Sequence, residues 1–184
     1  TARSLSARFA VVKDPRDFGA TVTGSSDQTT YWNLALAAIQ AAGGGVLIVP
    51  PGTSRVDGPL TYTGDRLSII GSGYSSVVSK TGTTGDWLNV TGNKITIENF
   101  TLEAPTNSSA DILLNLATTA GNVTISQMLV NGGYDVLTLD VGAQLFLGDS
   151  TFNNFTHDGI TLGASWGGLT SIHDVEMNVV GTVN

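Results

Sequence analysis

Four stretches of the chain stack under one another when their apolar and polar positions are aligned. They are IENFTLEA from Ile97, ISQMLVNG from Ile125, LGDSTFNN from Leu147 and IHDVEMNV from Ile172, with starts 28, 22 and 25 residues apart. Two further apolar columns run through them: Phe100, Met128 and Val175, which Ser150 interrupts, and then Leu102, Val130, Phe152 and Met177. A second short strand recurs between them, as DWLNV from Asp86, ILLNL from Ile112, DVLTL from Asp135 and DGITL from Asp158. Short strands at periods in the twenties, Gly/Asn-rich turns and no helix between them predict a solenoid of β-coils. The L-x-x-L-x-L-x-x-N pattern of leucine-rich repeats is missing. The expected fold is therefore all-β, a right-handed single-stranded parallel β-helix from about Gly45 onward.

The pattern changes upstream. Trp32, Leu36 and Ile39 fall at helical spacing, Asp27 is a candidate N-cap, and Gly43 to Gly45 stop the run, which predicts a helix from about Thr29 to Ala42. VLIVPPG then reads as an apolar strand closed by a turn. A solenoid coil buries its inward residues only against neighbouring coils, so an open end needs cover, and this helix is positioned to supply it. Leu5 and Phe9, between Arg3 and Arg8, make a short amphipathic turn at best. The expected organisation is a lead-in over residues 1–16, an opening loop and capping helix over 17–44, and β-helix coils over 45–184. The chain stops at VVGTVN inside a rung, with Val179 in an inward column. That predicts further coils downstream and a segment that is not a complete catalyst by itself.

Composition narrows the function classes. Charged residues make up only 12% of the chain and Gly numbers 23 of 184, which suits strands joined by tight turns. A net charge of −7 argues against a nucleic-acid partner, because a phosphate backbone is held by cations. No apolar run approaches the ~20 residues that span a bilayer, so no membrane partner is expected. There is no cysteine, and two histidines without flanking ligands predict no metal site and no cofactor. DFG at Asp17 to Gly19 matches a kinase string, but kinase chemistry also needs an H-R-D loop and a Gly-rich phosphate loop, which this chain lacks. The simpler reading has Phe18 plugging the solenoid mouth and Gly19 supplying a turn.

The residues from Arg3 to Val56 carry a resemblance. DFGA, Gly24, Asp27, Thr29, AAIQAA and the VPPGT strand resemble the N-terminal signature of the pectate-lyase-like (pectin-lyase fold) superfamily, usually DFGAxGDGxxDDT, then AIQAA, then PPGxY. RSLSARF resembles the lead-in of bacteriophage tailspike and tail-fibre proteins. Val22 and Thr23 stand where Gly-Asp is usual, Gln28 where a second Asp is usual, and Ser54 where an aromatic is usual. These departures predict a differently wired opening loop with the cap-and-strand logic kept. The resemblance implies a homotrimer in the virion, assembled with other tail proteins, that binds bacterial surface polysaccharide as a receptor and can act as a depolymerase. Two alternatives stay open: a secreted bacterial polysaccharide lyase or hydrolase on the same fold, and a non-catalytic virion fibre.

In the superfamily, carbohydrate lies along the solenoid flank, and acidic residues or Lys/Arg perform the chemistry. Column alignment pairs Asp149 with Asp174 on adjacent coils, about 4.8 Å apart along the axis, with Asn99 and Gln127 completing the column. A carboxylate pair at roughly 5 Å suits retaining glycoside hydrolysis. Asp149, Asp174 and nearby Glu176 are the candidate catalytic residues, with His173 and Trp166 as candidate substrate-binding residues. Tyr74, Trp87 and Tyr134 are further aromatics able to stack on sugars, packing being the expected fate of at least half of the four. Asp86, Asp135 and Asp158 share a column, which predicts side-chain bonds to turn backbone in place of catalysis. Asn131, Asn153 and Asn178 share another and read as an internal amide ladder. Lysine beyond Lys13, Lys80 and Lys94 is missing, so the basic cluster of a uronate lyase is not visible.

Overall fold

In the computed structural model the described residues are 11–82, 85–105, 112–117, 121–139, 143–163 and 170–179. They form a parallel β-helix of five full coils, with a last strand opening a sixth. One face stacks β1 (Val12–Lys13), β2 (Gly45–Val49), β5 (Leu67–Gly71), β8 (Ile95–Glu98), β11 (Gly121–Ser126) and the first half of β14 (Ala143–Phe155). The second face stacks β3 (Gly52–Arg55), β6 (Ser76–Ser79), β9 (Thr101–Glu103), β12 (Leu129–Asn131) and the second half of β14. β16 (Thr170–Val179) pairs along β14 on both faces. The third face is a separate sheet of β4 (Leu60–Tyr62), β7 (Leu88–Val90), β10 (Ile112–Leu116), β13 (Asp135–Leu139) and β15 (Ile160–Leu162). Every strand pair is parallel among the described residues.

The sequence alignment is the register of the first face. Ile97 pairs with Ile125, Ile125 with Leu147 and Leu147 with Ile172. The column also runs upstream through Ile69 and Leu47, where the repeat is too degenerate to read directly. Leu47, Ile69, Ile97, Ile125 and Leu147 are all fully buried, each contributing about 1.5–3 kcal/mol of burial. Ile172 and Met177, in the last described coil, are 47% and 41% exposed although they extend inward columns. Ser150 interrupts its column without loss, because its buried hydroxyl donates to the Gly148 carbonyl (2.7 Å) and accepts from the Met128 amide (3.2 Å).

The cap forms where the helical spacing places it. α1 (Thr29–Ala41) buries Trp32, Ala35, Leu36 and Ile39 against the core. Gln28, not Asp27, occupies the N-cap position, and its side chain makes no capping bond. Asp27, one residue earlier, has Oδ1 accepting from the Thr29 amide (3.0 Å), the Thr29 hydroxyl (2.6 Å) and the Asp57 amide (3.1 Å), which ties the helix start to the first coil. Gly43 (φ 79°) and Gly44 (φ 115°) end the helix in a backbone region that costs a side chain strain. Phe18, half-buried, packs against the core, and Gly19 (φ 105°) closes the short 3₁₀ turn Pro15–Phe18. Gln28 is buried and rewires the opening loop: Oε1 accepts from the Thr21 amide (3.0 Å), while Nε2 donates to the Ser26 carbonyl (2.8 Å) and hydroxyl (2.7 Å). An aspartate would offer neither the amide donors nor the reach.

Candidate functional site

Asn99, Gln127, Asp149 and Asp174 stack at the bend between the first and second faces, with φ of 65°, 52°, 47° and 52°. Left-handed backbone is costly for most side chains and least so for Asn and Asp. The bend thus explains the residue types in this column before any chemistry is invoked. Asn99 Nδ2 donates to the Gly71 carbonyl of the coil before it (3.2 Å). The two aspartates are exposed.

At this bend the structure brings together three of the residues singled out from sequence. A carboxylate oxygen of Asp149, an imidazole nitrogen of His173 and a carboxylate oxygen of Asp174 lie within 4.8 Å of one another. His173 Nδ1 is 3.4 Å from Asp174 Oδ2. His173 pairs in register with Gly148, and a Cβ at Gly148 would collide with the imidazole. The glycine therefore lets the ring lie across β14. Glu176 is on the second face, opposite Thr151, and its Oε1 accepts from Asn178 Nδ2 (3.0 Å). Trp166 lies outside the described residues.

A residue not singled out from sequence completes the flank. Leu145 and Leu147 point inward, so Phe146 between them points out, and it is 37% exposed two positions before Gly148. Alternation in AQLFLGD was the signal that could have found it. Other aromatics sort differently. Trp87 is fully buried and packs against Phe100 with ring centroids 6.1 Å apart, which removes it as a sugar-stacking residue. Tyr74 is 58% exposed. Tyr134 stacks flat on His157 (4.6 Å, 9°).

A second polar cluster sits where the third face begins. Asp135 Oδ1 accepts from the Asp158 amide (3.0 Å) and lies 2.8 Å from His157 Nδ1, and Asp158 Oδ2 is 3.4 Å from the same nitrogen. Asp86 likewise accepts from the Ile112 amide (3.0 Å) and from Asn115 Nδ2 (3.0 Å). The column is coil-to-coil turn chemistry, with an imidazole added in one coil. The hydrogen bond to Asp135, helped by the charges of Asp158 and Asp135, raises the His157 pKa above its ordinary value. Asn131, Asn153 and Asn178 share a column, but outside the core and with one bonded rung of it: Asn178 Nδ2 donates to Asn153 Oδ1 (2.8 Å), whereas Asn131 Oδ1 accepts from Asn154 Nδ2 (2.5 Å), the next residue along. Inward positions of the second face are taken by Leu102, Val130 and Phe152 instead.

No protein-family model matches the chain. No curated protein matches it either. Solved structures do. The catalytic unit of a thermostable GH87 α-1,3-glucanase from Streptomyces thermodiastaticus superposes with a TM-score of 0.72 at 23% identity, over 96% of this chain and 32% of the glucanase chain. A Parabacteroides merdae protein described as a glycosyl hydrolase superposes with a TM-score of 0.55 at 15% identity, over 93% of this chain and 98% of that one. ORF18 of Geobacillus virus E2 gives 0.52 at 12% identity, over 93% and 42%. At these identities the likeness establishes the β-helix fold. The chain spans about a third of the glucanase unit.

Proposed function

We propose that this chain is a tailspike-like receptor-binding β-helix that binds bacterial surface polysaccharide and cleaves its glycosidic bonds. The observation that carries the reading is the Asp149–His173–Asp174 cluster, within 4.8 Å, on an exposed flank beside outward Phe146. Neighbours of this fold include a glucanase, a protein described as a glycosyl hydrolase and a phage protein, which supports polysaccharide as the ligand. In this reading one of Asp149 and Asp174 attacks the anomeric carbon while the other gives its proton to the leaving oxygen, and that second carboxylate then takes a proton from the water that hydrolyses the glycosyl ester and frees the new reducing end. His173 and Trp166 hold the sugar, and Glu176 is the third candidate catalytic carboxylate. The lead-in resemblance adds a homotrimer carried on a virion with other tail proteins.

The Streptomyces and Parabacteroides neighbours favour a second reading, a secreted polysaccharide hydrolase on the same coils. Incubation with purified capsule or lipopolysaccharide, assayed for reducing ends and for the ultraviolet absorbance of an unsaturated sugar, tests the enzyme. New reducing ends without that absorbance are expected. Binding with no cleavage by the intact protein would leave a fibre and retire the catalytic pair.

A further inference from the structure

The opposite edge of the first face carries a second column of left-handed residues. Gly45, Leu67, Ile95 and Val123 pair in register, so the residues just before them are stacked as Gly44, Arg66, Lys94 and Asn122. Gly44 has φ 115°, while Arg66 and Lys94 both have φ 59°. Glycine is the residue this backbone favours, and it stands there in the first coil. The next two coils place the two most extended cations at the same strained position, and a strained functional-type residue on a surface is a reason to ask what it binds.

Their surroundings answer in chemical terms. Arg16 and Arg55 are taken up by Asp14 and Asp57, whereas neither Arg66 nor Lys94 forms a salt bridge among the described residues. Both are exposed, and with Asp65, Asn93, Gly121 and Asn122 they line one shallow depression. Arg66 spends one N–H on the Gly43 carbonyl (2.8 Å). Asp65 is the single carboxylate in the depression, and its Oδ1 is occupied by the Asn93 amide (2.9 Å). Exposed Asn122 and Gln144, paired in the next two coils, continue the donors along the axis at the coil spacing of about 4.8 Å.

We infer that this edge binds an acidic glycan, a sugar polymer whose carboxylate, sulfate or phosphate groups meet Arg66 and Lys94. The inference rests on the polysaccharide reading and adds the charge class of the polymer. A guanidinium and an ammonium one coil apart recognise a fixed anion at each rung, and the amides beyond them take neutral hydroxyls.

Calorimetric titration of the whole protein at low salt tests it, with polygalacturonate, dextran sulfate and a glycerol-phosphate teichoic acid as probes and neutral dextran as the control. At least one polyanion is expected to bind and dextran is not, the preferred probe identifying the anion. Lys94→Gly is the informative variant. It is expected to weaken binding about fivefold and to raise the melting temperature by about 2–4 °C, because it relieves left-handed strain. Absence of binding to all three polyanions, unchanged binding in Lys94→Gly, or a lower melting temperature in that variant would each overturn the inference. Polyanion binding by a protein that cleaves nothing supports it and removes the depolymerase reading alone.

Discussion

Asp149 and Asp174 occupy the same left-handed bend on adjacent strands, with φ of 47° and 52°, and both lie outside the core. The bend lets β14 and β16 serve two faces as continuous strands of 13 and 10 residues. It also sets the spacing of the two carboxylates, so backbone role and proposed chemistry rest on the same atoms. Substitution separates them. Asparagine tolerates the bend, whereas alanine is expected to cost about 1–2 kcal/mol. Asp149→Asn and Asp174→Asn should keep the urea midpoint and lose polysaccharide cleavage, and Asp149→Ala should lower the midpoint as well. Full cleavage by both asparagine variants would show that the column is bend chemistry only.

Asp57, just after β3 in the first coil, is a heavily bonded carboxylate. Oδ2 accepts Arg55 Nε (3.1 Å) and Nη2 (2.7 Å), and Oδ1 accepts the Thr81 amide (2.8 Å), the Thr81 hydroxyl (3.0 Å) and the Gly82 amide (3.1 Å). Burial works to raise its pKa, but these hydrogen bonds outweigh burial and hold it far below the ordinary carboxylate range. Asp27 is lowered in the same manner, its bonds from Thr29 and Asp57 overcoming burial. A depressed pKa gives stability that is complete above the unfolded value, near 3.9, and is lost as pH falls through the folded value. Urea unfolding should therefore weaken below pH ~4. Asp57→Asn should cost about 2–3 kcal/mol at neutral pH and flatten that acid limb.

His157 titrates in the other direction. Its bond to Asp135 raises its pKa, so its contribution is complete below the unfolded value of about 6.5 and is lost as pH rises through the higher folded value. The imidazole proton resonances of His157 should titrate above those of an unstructured histidine, and Asp135→Asn should bring them back. Coincident titration in both proteins would show that the ion pair does not form in solution.

Tryptophan emission tests the proposed role of Trp166. Trp32 and Trp87 are fully buried, so of the three tryptophans Trp166 is the one through which a bound glycan should act. Polysaccharide is expected to quench the native protein and to leave Trp166→Phe unchanged. Trp87→Ala should instead destabilise by about 3–5 kcal/mol, the usual cost of emptying a buried aromatic site.

Phe146 provides the matching test on the described flank. Phe146→Ala should weaken glycan binding by about 1–3 kcal/mol, the scale of a stacked ring, with little change in the urea midpoint because the ring is partly solvated. A large loss of stability with binding intact would place Phe146 in packing.

What the sequence determined by itself was whatever repeats. The inward columns through Ile97, Ile125 and Leu147 were legible because a parallel coil puts equivalent residues directly above one another, so register appears as periodicity. The helix was legible because Trp32, Leu36 and Ile39 recur at its pitch and glycines end it. Upstream rungs through Leu47 and Ile69 were not, since Pro, Gly and Ser turns of unequal length blur the period there. Trp87 reads as an exposed aromatic until its ring is seen against Phe100 from the next coil. Tertiary structure alone decided that the Asp149 column and the Arg66–Lys94 column are left-handed bends at opposite edges of one face. Backbone handedness has no period in sequence. It arises where strands from different coils turn together, and only there do a carboxylate pair and a cation pair acquire their spacing.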